Sequence, residues 1–129
     1  MNFLIDSAVY IDWLRNRIDP REQLLETLQE GRLYNCGVVR AEVLRGIKNE
    51  AVYLGMEAFF DIIPEVPTDA RLWRNVSSMA WRLQREGKSP PLTDLVIAMS
   101  ALRTGATLIS PDAHFEDIPV LQLKKAWPL

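Results

Sequence analysis

This sequence is short of the residues that crosslink a chain or carry it into a membrane. It has one cysteine, Cys36, in 129 residues. A single cysteine excludes an internal disulfide, and that usage suits a reducing cytoplasm. No basic start leads into an apolar run with a small-residue cleavage site, so no signal peptide is expected. No stretch approaches the roughly 18 apolar residues of a membrane span. An excess of positive charge is missing too, since 15 Lys and Arg face 17 Asp and Glu. The whole chain therefore lacks the net basic surface of many nucleic-acid binders, while a local basic face remains open to it. There are no internal repeats, low-complexity tracts or long linkers.

Hydrophobic residues are plentiful, at 48 %, enough for one sizeable core in about one domain. "NFLID" (Asn2–Asp6) is a short apolar run that reads as a buried strand. "SAVYIDWLRN" follows with helical spacing at Tyr10, Trp13 and Leu14, and Ser7 is the expected N-cap. "PREQLLETLQEG" reads as a helix with Pro20 near its start and Gly31 past its end. "RLYNCGVV" is a strand passing into a turn, and "VVRAEVLRGIKN" and "EAVYLGMEAFFDII" are helices. Pro64 and Pro67 punctuate a connection. A long helix runs from Thr68 to near Gly87, and the most apolar helix from near Thr93 to Gly105. "ATLIS" and "VLQL" (Val120–Leu123) complete the strands. Strands alternate with helices and are continuously apolar. That predicts a single α/β domain over residues 1–129, with a parallel sheet of about four or five strands and helices on both faces.

In such a sheet, ligands sit beyond the carboxyl ends of the strands. Asp6 ends the first strand and Asp112 follows "TLIS" by two residues. Asp94 lies in the first turn of the apolar helix, and Glu42 about one turn into the helix after the second strand. All four are expected at one edge. Converging carboxylates either raise one another's pKa or hold a cation. Hard oxygen donors suit Mg²⁺ or Mn²⁺ and, without a His or Cys partner, argue against zinc. Phosphodiester hydrolysis is the chemistry such a site does well. The opposing reading makes each acid a local cap or surface charge, as Asp69 and Asp117 are expected to be.

Four stretches carry a family resemblance: "FLIDSAVYIDWL", "VVRAEVLRG", "PLTDLVIAMSAL" and "TLISPDAHFEDIP". In this order and spacing the chain resembles the PIN-domain ribonucleases, and most closely the VapC-like toxins of type II toxin–antitoxin pairs. The resemblance implies a Mg²⁺- or Mn²⁺-dependent endoribonuclease whose acidic site maps onto Asp6, Glu42, Asp94 and Asp112. It also implies an RNA substrate, a cognate antitoxin that blocks the site, and a homodimer. Ser7 and Ser110 stand where members often carry a hydroxyl beside the metal. Pro111 replaces a frequent basic residue.

Other residues have two readings. Arg71, Arg74, Arg82 and Arg85 share an arc of roughly 80° on the long helix, with Ser78 between them. The stripe is either a solvated face or a contact for RNA phosphates or an acidic antitoxin segment. Arg40 and Arg45 flank Glu42 and are candidate RNA contacts. Val52, Met56, Phe59, Phe60 and Ile63 share a face bordered by Tyr53, read as core or as a groove for a partner helix. Trp81 lies off the apolar face of its helix. Tyr53, Met56, Phe60 and Trp81 are thus candidate antitoxin or dimer contacts. Trp13, Trp73 and Trp127 read as core or core-edge. His114 is read as structural, beside the site and not its general base, and Cys36 as a small buried hydrophobe.

Two rivals stand beside the nuclease. A phosphoacceptor receiver domain also carries acids at strand ends, but Asp6 has no adjacent acid and Pro111, not Lys, follows "TLIS". A non-catalytic interaction module would bind a partner through its apolar helices and would not be stabilised by metal.

Overall fold

A computed structural model describes residues 1–127; the expected domain runs to residue 129, and its last two residues lie outside this range. The chain runs β1 (Asn2–Ile5), α1 (Ser7–Arg15), α2 (Pro20–Gln29), β2 (Leu33–Cys36), α3 (Gly37–Arg45), α4 (Glu50–Ile62), β3 (Glu65–Val66), α5 (Ala70–Arg85), α6 (Leu92–Thr104), β4 (Ala106–Ile109) and β5 (Leu123–Lys124). A 3₁₀ turn at Ala113–Asp117 separates the last two strands. The strands form one five-stranded sheet in the order β3-β2-β1-β4-β5, and every pairing is parallel. This is the expected α/β architecture.

The strand order reverses direction between β1 and β4. The first half of the chain builds outward from β1 through β2 to β3, and α5 and α6 then carry it back to β4 on the other side. Parallel strands are as a rule joined by right-handed crossovers, and a sheet built outward from β1 in both directions then carries helices on both faces. The gap beside the ends of β1 and β4 is a topological switch point, where open sheets of this kind hold their ligands.

Several boundaries differ from the sequence-based expectation. Asp6, not Ser7, caps α1, because its carboxylate accepts a hydrogen bond from the Ser7 amide. Asp69 caps α5 by accepting from the Leu72 amide, which shifts that helix start to Ala70. The Pro64–Pro67 connection contains a two-residue strand, β3, too short for periodicity to reveal. The last strand is Leu123–Lys124, not Val120–Leu123; Val120 sits at φ 64 and is 87 % exposed, which a strand does not allow. Trp73 reads as core or core-edge in the sequence but is 46 % exposed on α5.

Helix α6 explains the core. Its residues Leu95 to Ala101 are all buried, so the helix is wrapped on every side instead of presenting one stripe. It stops at Gly105, whose φ of 62 and ψ of 25 form the left-handed C-cap that glycine adopts without a Cβ penalty. Arg103 grips Asp69 through two 2.8 Å contacts, joining the end of α6 to the start of α5. These helices therefore lie antiparallel. Tyr10 from α1 meets Phe60 of α4 edge-on at 5.2 Å. Among the described residues no helix is long and apolar enough to cross a membrane.

The Tyr10 hydroxyl is buried with no hydrogen-bond partner. It carries a desolvation cost without a compensating bond. Tyr10→Phe is expected to leave the unfolding free energy in urea unchanged or to raise it by about 1 kcal/mol. A fall of more than about 1 kcal/mol would mean that the hydroxyl is satisfied in solution.

Candidate active site

The pairing register builds the site. Ile5 lies opposite Ile109, and the Asp6 amide donates to the Ile109 carbonyl at 3.0 Å. The next residues on the two strands, Asp6 and Ser110, are thereby brought side by side. The Ser110 hydroxyl donates to Asp6 Oδ2 at 2.7 Å. The Ser110 hydroxyl oxygen in turn accepts from the Asp112 amide at 3.1 Å, turning the chain after β4 back toward the site. Asp6 Oδ1 accepts from the Ser7 amide at 2.8 Å. The Ser7 hydroxyl donates to Glu42 Oε1 at 3.0 Å. Ser7 and Ser110 thus tie three acids from separate elements into one hydrogen-bonded row.

Asp94 enters from the first turn of α6. Pro91 precedes this helix and supplies no side-chain cap. The free amides of the first turn favour a negative charge there. Asp94 Oδ2 lies 3.3 Å from His114 Nδ1, and Asp112 Oδ1 lies 3.3 Å from the same nitrogen. One ligand atom from each of Asp94, Asp112 and His114 falls within 4.8 Å of the others. The His114 amide also donates to Asp112 Oδ1 at 2.9 Å, so the 3₁₀ turn is capped by one of the acids. The sequence reading placed His114 beside the site but missed its bridging position. Its signal was the spacing in "DAHF", which sets the ring two residues beyond Asp112.

The acids feel burial and one another. Asp6 is 5 % exposed. Burial pushes its pKa up, the Ser110 and Ser7 hydrogen bonds pull it back, and the charges of Asp94 and Glu42 push it up again. Asp94 is also raised, first by burial and then by the charge of Asp112; His114 works against this and Glu42 adds to it. Among the described residues no Lys or Arg forms an ion pair with any of the four acids, and His114 is their basic neighbour. One buried and three half-buried carboxylates that repel one another, with no fixed Lys or Arg among the described residues, fit a divalent metal ion. The carboxylates supply the hard oxygens that suit Mg²⁺ or Mn²⁺, while the His114 nitrogen beside them removes the argument against zinc that rested on the lack of a His partner. Cys36 adds nothing to the set, because burial pushes its thiol up to about 11 and keeps it protonated.

The remaining predicted contacts fall in different places. A cavity of about 780 Å³ opens from Ser7 and Glu42 and runs between α1, α3 and the start of α4. Ile11, Leu14 and Val52 give it an apolar lining, Arg15 and Arg45 are among its basic residues, and Met56, predicted as a partner contact, is 2 % exposed and part of the core beneath it. Arg40 is absent from that lining and is ion-paired with Asp61 at 2.6 Å. Phe60 is 2 % exposed and closed off in the core by Tyr10, so it is not open to a partner. Tyr53 is half-buried and donates to Glu57 at 3.2 Å. Trp81 is 64 % exposed, on α5 and outside this cavity.

A parallel α/β domain with a knot of acids at its switch point belongs to the class of folds that work on ligands beyond the strand ends. The PIN domain family matches residues 3–121. Ribonuclease VapC6 of Mycobacterium tuberculosis (strain CDC 1551 / Oshkosh) is 33 % identical over 85 residues, which cover 64 % of this chain and 67 % of that protein. The chain therefore belongs to the PIN domain family. Two solved structures share the fold. VapBC2 from Rickettsia felis, bound to a DNA fragment from its promoter, matches at a TM-score of 0.78 and 21 % identity over 96 % of this chain and 98 % of that one. VapBC-1 from nontypeable Haemophilus influenzae matches at 0.75 and 22 % over 96 % and 97 %.

The raised pKa of Asp94 makes a stability prediction for metal-free protein. A folded-state pKa above 3.8 means that the native state holds the proton more tightly than the unfolded chain. Native stability is then lost as pH rises through the raised value. Asp94→Asn removes that cost. Its melting temperature at neutral pH is expected to exceed that of the wild type, and the gap should close on acidification toward 3.8. A variant that melts lower at neutral pH would contradict this account of the site.

Proposed function

We propose that this protein is a metal-dependent endoribonuclease toxin of a toxin–antitoxin pair. The observation that carries the reading is the convergence of Asp6, Glu42, Asp94 and Asp112 at the switch point without a Lys or Arg partner. Membership of the PIN family and similarity to a protein named as a ribonuclease support it.

In this reading the four acids hold Mg²⁺ or Mn²⁺. Such an ion, when bound, lowers the pKa of water and offsets charge on a phosphodiester oxygen. The chain's own work is placement. Ser110 and the Ser7 amide fix both oxygens of Asp6, and the Ser7 hydroxyl orients Glu42. Asp94 receives the positive end of α6. His114 sets the spacing of Asp94 and Asp112. The whole chain, residues 1–129, is taken as one nuclease domain, acting in the cytoplasm as a homodimer on RNA.

The cognate antitoxin is assigned to the cavity beside Ser7 and Glu42. An apolar segment with a charged end fits a hollow lined by Ile11, Leu14 and Val52 and edged by Arg15 and Arg45. A peptide seated there reaches Glu42 and obstructs the acids. The solved relatives named VapBC support a partner of this kind. Arg45 is the better placed of the two candidate RNA contacts, because Arg40 is held by Asp61.

The test is cleavage of a mixed pool of tRNA, rRNA and mRNA by purified, antitoxin-free protein, with Mn²⁺ or with chelator. Discrete cuts are expected only with metal. Asp94→Asn should lower the rate by more than about 100-fold, and Ser7→Ala, which removes only an orienting group, by about 10–100-fold. Mn²⁺ should also raise the melting temperature, since a ligand that binds only the folded state stabilises it. No cleavage together with no metal-induced stabilisation would favour a non-catalytic interaction module.

A further inference from the structure

Helix α5 carries a charge imbalance that the acidic site does not use. It contains four arginines and no acidic residue over Ala70–Arg85. The chain as a whole has 15 basic and 17 acidic residues, so eleven basic residues remain for the 17 acids outside this helix. Arg71, Arg74, Arg82 and Arg85 are all exposed. None of them forms an ion pair among the described residues, whereas Arg103 on the adjacent helix is committed to Asp69. The opposite side of α5 holds the buried Leu72, Val76 and Leu83. No acid on α5 offsets these charges, so its exposed face is a basic surface open to an anion.

Three further features define the anion. First, the stripe is long. From Arg71 to Arg85 it spans about 21 Å at 1.5 Å per residue, enough for about six phosphates at the 3.4 Å per phosphate of a stacked strand. Second, it carries an aromatic plane. Trp81 is 64 % exposed, and the Arg85 guanidinium lies 5.0 Å from its ring centre. An exposed indole with a guanidinium on it is a platform for a base, which an acidic peptide lacks. A hollow of about 630 Å³ between α5 and α6, lined by Arg71, Asn75, Ser78 and Arg82, adds amide and hydroxyl donors. Third, the stripe leads toward the acids. Residues 86–91 connect its end to the start of α6, two residues before Asp94. In that connection Lys88 lies 3.7 Å from Asp117, the end of the turn that carries His114. A second copy of this chain is disfavoured as the occupant, since two stripes of four arginines repel.

We propose that the exposed face of α5 is a binding track for single-stranded RNA, with Arg71, Arg74, Arg82 and Arg85 on phosphates and Trp81 under a base. The track holds a flank of the strand while the acids act on a bond beyond its end. It rests on the ribonuclease reading and adds where the substrate is held.

The test measures binding apart from cleavage. A fluorescein-labelled oligouridylate of about 20 nucleotides is titrated with the full chain in chelator, at several potassium chloride concentrations. The variant Arg71→Gln/Arg74→Gln/Arg82→Gln/Arg85→Gln alters exposed residues without ion pairs, so its fold should be kept. Its affinity is expected to fall at least about tenfold at low salt, and the slope of log affinity against log salt to shrink by about 3, at roughly 0.7 per phosphate contact. Trp81→Ala should weaken binding by about five- to a hundredfold with the slope unchanged. If the wild type cuts the RNA with Mn²⁺ and the quadruple variant keeps its affinity and slope, the track is wrong and the nuclease stands. If the quadruple variant binds the RNA normally but loses binding to polyglutamate, the stripe is a protein contact instead. If the wild type neither binds nor cuts RNA, both readings fall.

Discussion

The pairing of β1 with β4 is the constraint on which the rest of this protein depends. Setting Ile5 against Ile109 puts Asp6 against Ser110. A slip of one residue would turn each strand's side chains to the opposite face and separate the pair. Both strands are buried almost throughout and allow no such slip. Hydrophobic burial thus holds the register, and the register holds a polar contact that would be expensive to bury unpaired. The acids then gather around Asp6 through two serines, one from each side of the switch point.

The site and the stability of the fold pull in opposite directions. Asp6 and Asp94 are both raised by burial and by neighbouring charge, so the metal-free protein holds them at a cost. Partial relief comes from groups already present: the serine hydroxyls, the start of α6, and His114 between two acids. Strain of this sort is common at sites built to receive a cation, because the arrangement is complementary to a charge that the chain does not itself contain. The same logic, with the sign reversed, applies to α5. Its arginines lie on the surface, where water screens them and the cost is small.

The molecule therefore separates two kinds of charge by two kinds of environment. Acids are drawn into the crease between β1 and β4, where low dielectric strengthens every interaction. Unpaired arginines are spread over an exposed helix that leads to that crease. An RNA strand is a polyanion, and the acids repel it until a cation intervenes. In the track proposed on α5, the chain holds the strand without placing its own positive charges among the four carboxylates. That proposal reconciles a slightly acidic chain with a nucleic-acid substrate.

Much of this was legible in the residues alone. Continuous apolar strands alternating with amphipathic helices determined the parallel α/β class, and positions at strand and helix ends marked Asp6, Glu42, Asp94 and Asp112 as a candidate set. These are short-range signals, carried by periodicity and by the preferences of helix starts. The sequence by itself did not determine the strand order or the two-residue strand β3, because pairing is a long-range choice that leaves no local trace. Nor did it determine that Asp6 caps α1, that His114 sits between two acids, or that Phe60 is closed to a partner while Trp73 is exposed. Those outcomes depend on which surfaces meet once α4, α5 and α6 pack. Burial is a property of the packed whole, and only the tertiary structure could decide that Trp73, which read as core or core-edge, faces water.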